Sequence, residues 1–290
     1  MRLSALGPGF WPAPAKLNLM LRIVGRRADG YHELQTVFQF LDYGDAVGLR
    51  VRRDGAVVRR GGVAGLDPER DLAVRAARAL QRAAGVRLGA EIVLHKRIPA
   101  GGGLGGGSSD AATVLCALDR LWGCGLGTEA LCELALGLGA DVPVFVRGRA
   151  AWAEGVGERL TPVSPPEPWY LVVWPGAAVA TARVFADPAL TRDSPPTTIR
   201  GFLSGERGND CEAVVRRLCP EVGRALDWLR ARAPAGLSGT GGCVFAAFDE
   251  EGAARAAARG LPAPWRAIVA RGCNRSPLRE RLGDRAGVPR

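Results

Sequence analysis

Apolar and polar residues alternate over residues 16–24, with Leu17, Leu19, Leu21 and Ile23 on one side. That period of two predicts a half-buried strand, and it puts Lys16 and Asn18 together on the opposite face. A polar turn over 26–30 leads through Tyr31 and His32 into a second predicted strand, 34–41. Asp42-Tyr-Gly-Asp45 then reads as a turn into a third, 46–52. The period becomes helical over 70–84, where Leu72, Ala76, Ala77 and Leu80 share a face. A strand over 90–98 follows, then helices over about 109–122 and 128–138.

Residues 161–168 hold four prolines, Pro162, Pro165, Pro166 and Pro168, and mark a boundary between domains 1–163 and 164–290. Beyond it, 169–174 predicts a strand, and 211–217 and 221–233 predict helices. A small-residue loop from Leu237 runs into a strand ending near Phe248, followed by a helix over 250–259 and a last strand over 266–270. Strands grouped before helices indicate an α+β architecture of two domains rather than a doubly wound sheet.

Between the strand at 90–98 and the helix after it lies Pro99-Ala-Gly-Gly-Gly-Leu-Gly-Gly-Gly-Ser-Ser-Asp110, with six glycines in a window of seven. So many absent Cβ atoms suit a backbone that turns tightly and lets another group come close. Ser108, Ser109 and Asp110 are candidate N-caps for the following helix. A glycine loop entering a helix N-terminus offers free N–H groups and the positive end of the dipole, which suits a phosphate. A flexible linker is the plain alternative, but a linker rarely joins a strand to a capped helix. No Gly-Lys-Ser/Thr closes the loop, which excludes a Walker A site. Gly101-x-Gly103-x-x-Gly106 matches the dinucleotide fingerprint in form only, because Pro99 and Ala100 separate strand from glycines and no acidic strand end follows.

Composition narrows the class. The chain of 290 residues is 47% hydrophobic and 23% charged, the balance of a soluble globular protein with room for a full core. No apolar run approaches the roughly 20 residues of a membrane helix, and the first residues do not read as a signal peptide. Seven scattered cysteines form no C-x-x-C pair and only two histidines are present, so buried thiols in a reducing cytoplasm are expected rather than zinc. A net charge of +10 raises nucleic-acid binding as a rival, yet the basic residues are spread along the chain without an aromatic-interleaved block. Nearly all are arginine, and the lysines are Lys16 and Lys96 alone. A lysine in such a chain draws notice as a compact point charge.

Three further segments combine unusual residues with turns. Lys16 and Asn18 can cradle an oxygen-rich ligand, or simply form an exposed strand face. In Gly139-Ala-Asp141-Val-Pro143, Asp141 sits between a helix end and an apolar stretch that Pro143 leads as a strand. It could accept a proton from an alcohol, or serve only as a turn aspartate. Tyr31 and His32, after Asp29-Gly30, could stack on and hydrogen-bond to a base, or begin a partly buried strand.

Together these segments, with Leu237-Ser-Gly-Thr-Gly-Gly-Cys243, resemble the GHMP kinase superfamily over about residues 11–277. Pro14-Ala-Lys-Leu-Asn-Leu and Asp29-Gly-Tyr-His32 resemble, within it, the branch that acts on a cytidine diphosphate conjugate of methylerythritol. Relatives acting on mevalonate or homoserine should lack the Asp-Gly-Tyr-His segment. The resemblance implies a two-domain fold with its active site in the cleft, and ATP-dependent phosphorylation of the 2-hydroxyl of methylerythritol. It implies that Asp141 is the base and Lys16 its partner. ATP would lie over Pro99, Ala100, Gly101, Gly102, Gly103, Leu104, Gly105, Gly106, Gly107, Ser108 and Ser109. Asn18, Tyr31, His32, Phe38 and Phe185 would hold the substrate, and Gly239 to Gly242 would shape the cleft. Ala100 departs from the pattern, where methionine is expected. Mg²⁺ is expected with ATP; the helix-start serines are candidates, no carboxylate ligand is assigned, and the phosphates supply most contacts. A small-molecule enzyme is implied, monomeric or weakly dimeric, with neither nucleic acid nor membrane as partner.

Overall fold

The computed structural model describes residues 3, 6, 7 and 9–283. The fold grows from one long antiparallel hairpin, β1 (Phe10–Arg26) and β2 (His32–Arg52). Its turn closes where Arg27 N donates to Tyr31 O at 2.7 Å, with Gly30 at a φ of 88°. Strand β2 is the trunk of the sheet. Its second half pairs with β4 (Gly89–His95) and its first half with β5 (Ala151–Gly155). Strand β3 (Val57–Gly61) runs parallel to β4, and β6 (Arg159–Pro162) antiparallel to β5.

At Phe40 and Leu41, β2 also meets β10 (Arg266–Cys273), which carries the sheet into β7 (Trp169–Trp174), β9 (Val244–Phe248) and β8 (Ala235–Leu237). The path is therefore β3-β4-β2-β10-β7-β9-β8. The first part is covered by α1 (Leu72–Ala84), α2 (Gly106–Trp122), α3 (Gly127–Leu136) and α4 (Val142–Arg147). The second carries α5 (Thr181–Phe185), α7 (Glu212–Leu218), α8 (Pro220–Arg230) and α9 (Glu251–Ala257), while α6 (Ile199–Leu203) packs Ile199 and Phe202 against Met20, Val37 and Trp152 of β1, β2 and β5. The last helix, α10 (Pro277–Arg281), returns to the first part and buries Leu278 in its core. The expected α+β architecture is thus present.

Helix α1 buries Ala76, Ala77 and Leu80 on the face its periodicity predicts, and starts from Asp71, whose carboxylate accepts from Ala73 N at 2.9 Å. Helix α2 is buried on nearly all sides from Ser109 to Leu118, so it runs through the core rather than over it.

Three expectations are corrected. The turn at residues 42–45 does not exist, since β2 runs straight through it. Gly44 is there because β1 crowds it: a Cβ would lie 2.2 Å from Ala13 O. Asp45 is fully buried and accepts from Ile98 N at 2.8 Å, so its carboxylate anchors another segment instead of turning its own. The apolar stretch after Asp141 is helix α4, not a strand, with Pro143 in its first turn, where a missing N–H costs nothing. Finally, α2 starts at Gly106 behind Gly105, so Ser108, Ser109 and Asp110 lie inside its first turns and do not cap it.

Candidate active site

A cleft of about 600 Å³ opens between the glycine loop, the β1–β2 hairpin, the start of α4 and the loop after β8. Lys16 from β1 forms its floor and is almost wholly buried; its Nζ lies 3.3 Å from Asp141 Oδ2. Asp141 precedes α4 and keeps about two-fifths of its side chain exposed. The ammonium also donates to Asn18 Oδ1 and sits 5.1 Å from the centre of the Phe38 ring. Asn18 is fixed in turn, since its Nδ2 donates to Thr36 Oγ1 at 2.9 Å and that hydroxyl donates to Met20 O at 2.6 Å. A buried cation, a half-exposed carboxylate and an oriented amide therefore face one space.

The glycine loop is locked against the loop after β8. Ser238 Oγ donates to Gly103 O at 3.0 Å and accepts from Asn18 N at 3.2 Å, while Cys243 N donates to Gly102 O at 2.9 Å. Gly103 has a φ of 74°, and a Cβ there would lie 2.2 Å from Ser238 O. Gly105, at a φ of 72°, would press a Cβ onto the Phe145 ring at 2.8 Å and Lys16 Cε at 3.2 Å. These glycines let the backbone pass where no side chain fits. The helix that follows has no side-chain cap, so the first-turn N–H groups of Gly106, Gly107 and Ser108 remain available to an anion.

Pro99 to Ser108 all line the cleft, whereas Ser109 is buried outside it with its hydroxyl unpartnered. Asn18, Phe38 and Phe185 line the cleft. Tyr31 and His32 do not line it: Tyr31 is 64% exposed, and the His32 ring stacks on Phe185 at a centroid distance of 5.1 Å. Gly239 and Thr240 line the cleft from the loop after β8, and Thr240 Oγ1 lies 2.7 Å from the Oγ1 of Thr181, another lining residue.

Sequence reasoning missed a second charged group. Lys96 bridges Asp45 and Asp110 beneath the glycine loop, and both Lys96 and Asp110 reach the cleft. Burial lowers the Lys96 ammonium, but Asp110 and Asp45 outweigh it and hold it above its ordinary range. Burial pushes the Asp110 carboxyl up to about 7, against the pull of Lys96. The scarcity of lysine was the one sequence signal that pointed here.

The sequence matches the GHMP kinases N terminal domain over residues 71–149 and the GHMP kinases C terminal domain over 199–267. It is 61% identical to the 4-diphosphocytidyl-2-C-methyl-D-erythritol kinase of Alkalilimnicola ehrlichii, covering 94% of each chain. The chain belongs to the GHMP kinase family. This kinase is also 56% identical to the protein of the same name from Halorhodospira halophila, over 95% of its own length and 97% of the relative's. Its fold superposes on a crystal structure of 4-(cytidine 5'-diphospho)-2C-methyl-D-erythritol kinase with a TM-score of 0.80 and 38% identity, covering 91% of this chain and 98% of that one. A homoserine kinase from Cytophaga hutchinsonii shares the fold, with a TM-score of 0.70 at 17% identity. This GHMP kinase is therefore an ATP-dependent small-molecule kinase. Among the described residues no helix is long and apolar enough to cross a membrane.

Proposed function

We propose that this kinase transfers the γ-phosphoryl group of ATP to the 2-hydroxyl of 4-diphosphocytidyl-2-C-methyl-D-erythritol, releasing ADP, in the non-mevalonate route to isoprenoid precursors. One observation carries the chemistry: the Lys16–Asp141 pair faces the uncapped N-terminal turn of α2 across a single cleft. Relatives at 56–61% identity over nearly the whole chain carry the substrate assignment.

Asp141 takes the proton of the attacking hydroxyl, and Lys16 stabilises the negative charge that grows on that oxygen and on the transferring group. The N–H groups of residues 106–108 hold phosphate oxygens. Asn18, oriented by Thr36, contacts the methylerythritol portion beside Phe38, and Phe185, His32 and Tyr31 hold the cytosine. Among the described residues no three acidic, histidine or cysteine side chains converge on a metal. Ser108, which lines the cleft in the first turn of α2, would be the protein's ligand to Mg²⁺ arriving with ATP, with phosphate oxygens supplying most of the other contacts. Bound there, the ion would neutralise charge on the phosphates. The reading extends to a cytoplasmic enzyme, monomeric or weakly dimeric, with 1–163 and 164–290 as its two domains; the prolines between β6 and β7 support that boundary.

The test is ADP release by the purified protein with Mg-ATP and, separately, the cytidyl substrate, mevalonate and homoserine. ADP is expected with the cytidyl substrate alone. Turnover of mevalonate or homoserine instead would overturn the substrate while leaving the catalytic pair in place.

A further inference from the structure

Arg192 stands apart from the reacting centre, yet its bonds converge on the His32–Phe185 pair. Its Nε donates to His32 Nε2 at 3.1 Å. One terminal nitrogen donates to the carbonyls of Phe185 at 3.1 Å and Asp187 at 2.7 Å, and the other to that of Leu190 at 3.0 Å. A guanidinium only donates and stays charged, so His32 Nε2 has to present its lone pair to it. The ring's single proton is then on Nδ1. Burial, with Arg192 and Arg26 beside it, holds the imidazole below its ordinary value and so keeps it neutral. The Nδ1–H has no partner among the described residues.

We propose that Arg192 is a positioning residue that locks His32 in the Nδ1–H tautomer, so that the ring can only donate to a bound base and selects cytosine over uracil. The proposal rests on the reading of His32 and Phe185 as base-binding residues. The pairing edge of cytosine offers two acceptors, O2 and N3, whereas uracil carries a proton on N3. A fixed donor that faces N3 bonds to cytosine there and opposes the N–H of uracil, and an unmatched polar pair discriminates better than a lost apolar contact. The same guanidinium fixes the backbone around Phe185, so ring and stacking partner are set by one side chain.

The experiment combines ring ¹⁵N spectra with kinetics on the intact enzyme. Only two histidines are present, so His32 is assigned by omission with a His95→Gln variant. Wild-type His32 is expected to show a protonated Nδ1 and an unprotonated Nε2 at neutral pH. Arg192→Met should mix the tautomers and raise KM for the cytidyl substrate about tenfold, as for one lost hydrogen bond. Its kcat and its KM for ATP should hold, and its preference for the cytidyl over the uridyl substrate should shrink. Arg192→Lys, which can still donate to Nε2, should restore part of that preference, and thermal unfolding monitors the loop. Adding Arg192→Met to His32→Ala should leave the preference where His32→Ala put it. A Nδ1–H tautomer that persists in Arg192→Met overturns the lock. A lock seen in the spectra while His32→Ala keeps full cytosine preference overturns the base-binding reading instead.

Discussion

Lys16 and Asp141 lie 3.3 Å apart although one comes from the first strand and the other from the residue before α4. The lysine is buried and held by Asn18, while the carboxylate stays open to the cleft. That asymmetry suits a fixed cation and an accessible base.

Replacing Asp141, the proposed base, should remove chemistry and spare binding. Asp141→Asn keeps the shape and loses the proton acceptor, and a positioned base is worth about 10²- to 10⁴-fold. We expect kcat to fall by that range with KM for ATP little changed. Steady-state assays that retain more than about a tenth of kcat would remove Asp141 from the base role.

Lys16→Arg retains the charge but enlarges the group. The space is bounded by Gly105, whose missing Cβ would sit 3.2 Å from Lys16 Cε, and by the Phe38 ring. A planar fork does not fit where a compact ammonium does. Turnover should drop by at least about tenfold, a loss of about 1.4 kcal/mol in transition-state stabilisation. Wild-type activity in this variant would reduce Lys16 to a diffuse charge.

The glycine loop predicts a contrast between neighbours. Gly103→Ala meets Ser238 O at 2.2 Å in a left-handed backbone and should destabilise the fold by more than about 1 kcal/mol. Gly107→Ala lies in the first turn of α2 without positive φ, its nearest contact being Leu72 at 3.7 Å, and should be neutral or stabilising. Thermal unfolding of the two variants side by side checks this, and equal effects would contradict the close approach of the two loops.

Asp110 gives a pH dependence of defined sign. Burial raises its carboxyl from 3.8 to about 7 in the folded protein, with Lys96 opposing and Asp45 adding to the rise. Between those values the folded chain binds more protons at this group than the unfolded chain. Its contribution to stability is thus full below about pH 4 and is lost as pH rises through 7. The stability of wild type minus that of Asp110→Asn should decline across this window in denaturant titrations. A difference that ignores pH would mean that Asp110 titrates ordinarily.

The glycine loop was legible because its composition has few other uses, and Lys16 with Asn18 because a period of two fixes their common face. Asp45 was misread for a physical reason: Asp-Tyr-Gly-Asp has turn chemistry locally, but its partners at residues 96–98 lie some fifty positions away. Pro143 was misread because proline is as much at home in a first helical turn as at a strand edge. Arg192 carried no signal, being one arginine among many, and only the folded chain brings it to His32. The short elements β3, β5, β6 and α10 are too brief for periodicity to register.

The return of α10 to the first half sets an order of events during synthesis. Leu278 fills the core built on α1 and α2, and Ala150 N donates to Asn274 O at 2.8 Å. The ribosome therefore releases the glycine loop, Lys16 and Asp141 long before the residues that seal their core have emerged. A nascent chain stalled near residue 163 should remain protease-sensitive and a client of chaperones, and the first core is completed only once α10 has left the tunnel.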